Sequence, residues 1–322
     1  MTRNKALFVR LGVISWIIAL GFAVSAFAQQ TAPPRPSSAE AAQATATPTP
    51  TPQDPRVKTI QFESKLVGKT LPYNVLLPVD YDQPSAKAKR YPVVYLLHGL
   101  TGHYTNWFER TKLADYGAVY SMIIVTPEGN DGWYTDSASV PADKYETYVI
   151  EELLPDVQQR YRTVDTREGR AIAGLSMGGY GALKFGVKYP QTFAFAGSMS
   201  GALDATSLKE ADLRGFQFIW RTLLPVFGSE DNPGRAANDL VKLYRELPVE
   251  KIAALPSVYF DCGTEDPLLQ SNRSFAEILL QRKIPHEYRQ LPGTHNWAYW
   301  DSQVKEVLRL AARKLGACKA NC

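Results

Sequence analysis

The stretch RAIAGLSMGGYGALKFGVKYP (170–190) joins two different periods across one tight turn. Arg170–Leu175 is a short apolar run of the kind that forms a buried strand. Gly178–Tyr189 continues at helical spacing. Between them Gly174, Leu175, Ser176, Met177 and Gly178 spell G-x-S-x-G. In a strand–turn–helix context this pattern places a serine on a strained turn. Small neighbours let strand and helix approach, and the helix amides point at the hydroxyl. The five-residue pattern recurs by chance, so its weight comes from the flanks. The competing reading, a Gly-rich helix that merely uses Ser176 as its cap, needs no further partners along the chain.

Outward from that turn, strand and helix signals alternate. Val57–Ser64 and Thr70–Pro78 alternate apolar and polar residues around Gly68 and predict an opening antiparallel hairpin. Tyr91–Leu97, Ser121–Thr126, Phe193–Ser198, Ser257–Cys262 and His286–Leu291 read as further strands. Lys144–Arg160, Leu268–Lys283 and Asn296–Leu315 carry helical spacing. Such alternation predicts an α/β fold, a mostly parallel central sheet with helices on both faces. Residues 205–247 break the rhythm with a helical insertion, which includes the apolar run Phe216–Phe227, at a place where a segment can cover a site.

A serine hydroxyl is a poor nucleophile without a base. The chain has four histidines, His98, His103, His286 and His295. His98 lies upstream of the serine, and His286 falls inside a predicted strand. His295 follows a strand in the loop Pro292-Gly293-Thr294 and stands last in the order serine, acid, histidine. The acid belongs between them. Asp261, Glu265 and Asp266 cluster at one strand end; Asp266 lies past the Gly263 turn and is the expected partner, with Glu265 its competitor. A tetrahedral oxyanion needs backbone donors. The expected pair is the amide of Met177, just after the serine, and that of Leu100 in the loop His98–Gly102. Aromatic residues crowd the predicted loops, and Trp107, Trp133, Tyr134 and Trp297 are candidates to line a substrate pocket.

The amino end reads differently. Arg3, Lys5 and Arg10 precede an apolar run from Leu11 to Phe27, and Ala26-Phe27-Ala28 fits a cleavage site, so residues 1–28 are expected to be a signal peptide. Residues 29–55, with a Thr-Pro repeat at 47–52, bury too little to offset their ordering entropy and are expected to be a disordered linker. Residues 56–322 suit one catalytic domain. The expected location is therefore the periplasm or the exterior, without strong membrane binding once the signal is gone. The 322-residue chain carries +4, and +1 after the signal leaves (33 basic against 32 acidic residues), which is no nucleic-acid footprint. Of the three cysteines, Cys262 reads as a small core residue. Cys318 and Cys322 could pair in an oxidising compartment if the helix end frays. No metal-ligand cluster is apparent, and nothing calls for a cofactor.

Five separated segments, YPVVYLLHGLTGHYTNW (91–107), GWYTD (132–136), IAGLSMGGYGALKFGVKYP (172–190), FDCGTEDPLL (260–269) and GTHNWAYW (293–300), resemble in order those of the "putative esterase" family of α/β-hydrolases. That family holds S-formylglutathione hydrolase, tributyrin-type and feruloyl esterases, and the antigen 85 mycolyltransferases. The resemblance implies an α/β-hydrolase fold, a Ser176–His295–Asp266 triad, oxyanion donors at Leu100 and Met177, and an acyl pocket near Trp133 and Tyr134. It implies a serine carboxylesterase acting on a small-molecule or polysaccharide-linked ester, with small-to-medium acyl, acetyl or feruloyl groups. Acyl transfer to a sugar, as in antigen 85, is the alternative. A non-catalytic binding protein on the same fold is a third reading, though such proteins usually lack a triad member.

Overall fold

The computed structural model describes residues 54–318. The expected signal peptide, the linker up to residue 53 and Cys322, with its pairing to Cys318, lie outside the described residues. Ten strands run in chain order: β1 (Val57–Ile60), β2 (Glu63–Ser64), β3 (Lys69–Thr70), β4 (Tyr73–Leu76), β5 (Val93–Leu97), β6 (Ile123–Pro127), β7 (Arg170–Leu175), β8 (Phe195–Met199), β9 (Ser257–Gly263) and β10 (His286–Leu291). Eight form one sheet in the order β1-β4-β6-β5-β7-β8-β9-β10. The predicted opening hairpin is present as the antiparallel pair β1–β4, with β2 and β3 forming a small ribbon at its turn. From β6 to β10 every pairing is parallel. This is the α/β-hydrolase arrangement.

Strand alternation divides the core between the two faces of the sheet. Val93, Tyr95 and Leu97 pack on one side with Tyr148, Val149, Tyr180 and Leu183. Val94 and Leu96 pack on the other with Trp107, Leu113, Val304 and Leu308. A strand covered on both faces has no solvent side, so β5 and β6 read as continuous apolar runs rather than alternating ones.

The four long helices outside residues 145–160 are α1 (Met177–Lys188), α2 (Gln217–Phe227), α3 (Leu269–Gln281) and α4 (Trp297–Lys314). The helix expected over Lys144–Arg160 forms with a π-helical stretch, Tyr148–Leu153, between α-helical segments Tyr145–Thr147 and Leu154–Arg160. Pro155 lacks the N–H that an α-helix would return to Glu151, and the wider turn falls just before it. The 205–247 insertion contains α2 and two short helices, Pro233–Ala237 and Leu240–Arg245. The buried Arg235 ties it together by donating to the carbonyls of Thr206 and Leu208 at 2.9 Å and of Gly228 at 3.2 Å. Among the described residues no helix is long and apolar enough to cross a membrane.

Candidate active site

Strand register delivers the chemistry to one edge of the sheet. Leu97 stands beside Gly174, Leu175 beside Met199, and Gly263 beside Leu291. The loops that follow β5, β7, β9 and β10 therefore open at the same carboxyl edge, where ligands of open α/β sheets bind. Ser176 occupies the turn between β7 and α1 with φ 52° and ψ −115°, outside the comfortable range for a residue with a side chain. The turn holds because its neighbours are bare. A Cβ on Gly174 would stand 2.5 Å from the Gly178 backbone, and one on Gly178 would stand 2.5 Å from the His98 carbonyl oxygen.

Ser176 Oγ lies 3.0 Å from His295 Nε2, and His295 Nδ1 lies 2.9 Å from Asp266 Oδ2. Two hydrogen bonds thus connect residues 119 and 29 positions apart. With Nδ1–H donating to the carboxylate, Nε2 is free to accept the serine proton. Asp266 has a fully buried side chain and also accepts the Leu268 amide at 2.8 Å. Burial alone would raise its pKa. The His295 hydrogen bond and charge and the Leu268 amide outweigh it and hold the carboxyl below its ordinary range.

The other two carboxylates at this strand end do different work. Asp261 is buried beneath the site and accepts from Tyr259 at 2.9 Å and Tyr299 at 2.8 Å. Burial pushes its pKa up to about 7 against those two hydroxyls. Glu265 is exposed and accepts the Gly293 amide at 2.7 Å, steadying the loop that carries His295.

The Leu100 amide belongs to the loop after β5 and the Met177 amide to the first residue of α1; Leu100 lines the same cavity as Ser176, and neither amide has an acceptor among the described residues. The loop after β5 is fixed from below. Glu128 is buried and accepts the amides of Asn130 at 2.8 Å and Tyr104 at 3.3 Å, with the His98 ring 3.2 Å away. Burial opposes its ionisation, but the His98 ring and those amides win and bring its pKa to about 2.

A cavity of about 770 Å³ stands over Ser176. Of the four aromatic candidates, Trp133 and Trp297 line it. Trp107 and Tyr134 do not: they are wholly buried and belong to the packing beneath. Trp107 donates to the Leu97 carbonyl at 3.2 Å and meets Trp297 edge-on at 5.5 Å, so it props the wall rather than forming it. Tyr134 donates to the His98 carbonyl at 3.2 Å, under the loop after β5.

A family model described as "Putative esterase" matches residues 64–310. The chain belongs to this esterase family. Among its curated relatives, Esterase MT1326 of Mycobacterium tuberculosis is 34% identical over 266 residues, covering 75% of this chain and 56% of the relative. The chain thus spans little more than half the length of that protein. An acetyl esterase of Caldicellulosiruptor saccharolyticus is 28% identical over 254 residues, with 77% of this chain and 95% of that one covered. A solved ferulic acid esterase superposes with a TM-score of 0.69 at 30% identity, covering 80% of this chain and 98% of that one. Carboxylic ester hydrolases with this fold are therefore what the esterase domain is similar to over nearly its whole described length.

Sequence reasoning missed part of the cavity wall. Leu208, Phe216, Phe218 and Ile219 come from the insertion, Leu268 from the loop before α3, and Arg110 from the short helix Asn106–Arg110. Phe216 and Phe218 are 59% and 51% exposed. Two neighbouring aromatics in a segment that breaks the strand–helix rhythm were the available signal. Arg110 left none, since nothing local distinguishes it from any other surface arginine.

Proposed function

We propose that the chain is an exported serine carboxylesterase that hydrolyses small-to-medium acyl, acetyl or feruloyl esters. Ser176 is the nucleophile, His295 the base and Asp266 the acid. The observation that carries this reading is the hydrogen-bonded run Ser176–His295–Asp266 opening into a cavity of about 770 Å³. In the first half-reaction Ser176 Oγ attacks the ester carbonyl carbon while its proton passes to His295 Nε2. The carbonyl oxygen becomes an oxyanion held by the Leu100 and Met177 amides; one such donor is worth about 3–4 kcal/mol to the transition state. As the tetrahedral intermediate collapses, His295 returns the proton to the leaving alkoxide and the alcohol departs. Water then repeats the sequence on the acyl-enzyme, releasing the acid and restoring Ser176. Asp266 holds the imidazole in the Nδ1–H tautomer and stabilises the imidazolium formed in each half-reaction. Trp133 and the insertion aromatics give the acyl group its apolar surroundings.

The test is a p-nitrophenyl ester panel from acetate to palmitate, with methyl ferulate, assayed beside Ser176→Ala. Turnover that falls by about 10⁴–10⁶ in the folded variant is the expected result. Near-full activity in Ser176→Ala, or a folded wild-type protein inert toward every ester, would sink the reading. Adding trehalose or another polyol and seeking a new acylated product separates hydrolysis from transfer to an alcohol.

A further inference from the structure

The cavity over Ser176 has two unlike walls. The insertion side is apolar, with Trp133, Phe216 and Phe218 facing the space. Another part of the lining is made by the helix Asn106–Arg110 and the start of α4. These two elements are joined: Trp107 meets Trp297 edge-on at 5.5 Å, and the Lys112 amide donates to Asp301 at 2.8 Å. Among the described residues lining the cavity, Arg110 is the only lysine or arginine, and none is aspartate or glutamate. Arg110 is exposed and has no hydrogen-bond or ion-pair partner among the described residues. Two carboxylates of this region are turned to other tasks. Glu109 accepts from Asn106 at 3.2 Å and does not line the cavity, while Glu128 is buried under the loop against His98 and His103.

An unpaired guanidinium in a concave site with apolar walls sets a positive potential that the walls focus. Its planar fork matches a carboxylate with two parallel hydrogen bonds. Which part of an ester meets it follows from proton traffic. The leaving oxygen must receive its proton from His295 Nε2, so the alcohol lies on the His295 side of the scissile bond. That side continues into Asn296, Trp297 and the Arg110 helix, whereas the acyl group is left facing the insertion.

We infer that this site selects esters whose alcohol portion carries a carboxylate, and that Arg110 reads it. The inference rests on ester hydrolysis at Ser176. It divides the cavity into an apolar acyl half and a cationic alcohol half.

A matched pair of substrates tests it: 4-acetoxybenzoate, whose leaving phenol bears a carboxylate, and its neutral methyl ester. Arg110→Gln keeps an exposed polar side chain of similar length and removes the charge. It is expected to lower kcat/KM for 4-acetoxybenzoate about tenfold more than for the methyl ester, chiefly through KM. Arg110→Lys should recover part of that difference, because the charge returns without the fork. Raising ionic strength should shrink the wild-type preference, since the pair is solvent-accessible. Equal losses on both esters, or a preference indifferent to salt, would overturn the inference while leaving the esterase reading intact. A folded wild-type protein that turns over the p-nitrophenyl panel but neither of these esters would overturn the inference alone; one inert toward all of them would remove the esterase reading, and the inference with it.

Discussion

Asp266 and Glu265 are neighbours in the chain, yet one is buried against His295 and the other lies exposed under Gly293. Asp266→Asn keeps the shape but no longer fixes the Nδ1–H tautomer. We expect kcat to fall by about 10³–10⁴. Glu265→Gln loses only the charge on a hydrogen bond to a loop amide, and should cost about tenfold or less. Steady-state kinetics of the two variants would rank them; the reverse ranking would make Glu265 the acid. The His295 hydrogen bond keeps the Asp266 carboxyl below its ordinary range, so it stays ionised at neutral pH.

At the scale of elements, α1 does two jobs. Its first turn leaves no room at Gly178, where a methyl group would meet the carbonyl oxygens of His98 and Leu97 at 2.5 and 2.6 Å. Gly178→Ala should push the loop after β5 away and reduce activity more than it reduces Tm, measured by melting and kinetics on one preparation. Farther along, Lys184 is wholly buried and pairs with Glu146 at 2.8 Å, joining α1 to the helix of residues 145–160. Lys188 meets the same carboxylate at 2.5 Å. Burial opposes the Glu146 charge, but the two ammonium groups outweigh it and lower its pKa to about 2 from 4.5. A depressed carboxylate pKa contributes stability above the unfolded value and loses it as pH falls toward the folded one. Urea midpoints should therefore drop between pH 4.5 and 2, with a flatter slope for Glu146→Gln in that window. At neutral pH the variant leaves a buried ammonium without its anion, at a cost of about 3–5 kcal/mol. A neutral-pH loss under about 1 kcal/mol would show that water reaches Lys184. The π-helical stretch at Tyr148–Leu153 belongs to the same helix, and its apolar spacing gave no sign of it because a π turn shifts the face by one residue only.

For the whole molecule, we propose that residues 1–28 leave on export, that 29–55 tether, and that 56–322 are the catalytic unit. Mass spectrometry of the protein recovered from outside the cytoplasm should find Gln29 at its amino terminus; an intact Met1 would contradict the signal reading. The sequence by itself determined the strand–helix alternation, the turn at Ser176 and the histidine of the site. It could do so because side-chain periodicity and turn chemistry act over a few residues: β7 was legible residue for residue as Arg170–Leu175, and α1 within one residue at each end. With four histidines in the chain, elimination did the rest. Tertiary structure alone decided which aromatics face the cavity, that Asp261 is buried beneath the site, and that Arg110 stands in the wall. Those outcomes depend on which loop folds over which strand end, and on the parallel register that aligns β5, β7, β9 and β10. Trp107 and Trp297 look alike in the chain, but one closes the core and the other the cavity, because only the packing of two distant elements assigns each ring its side.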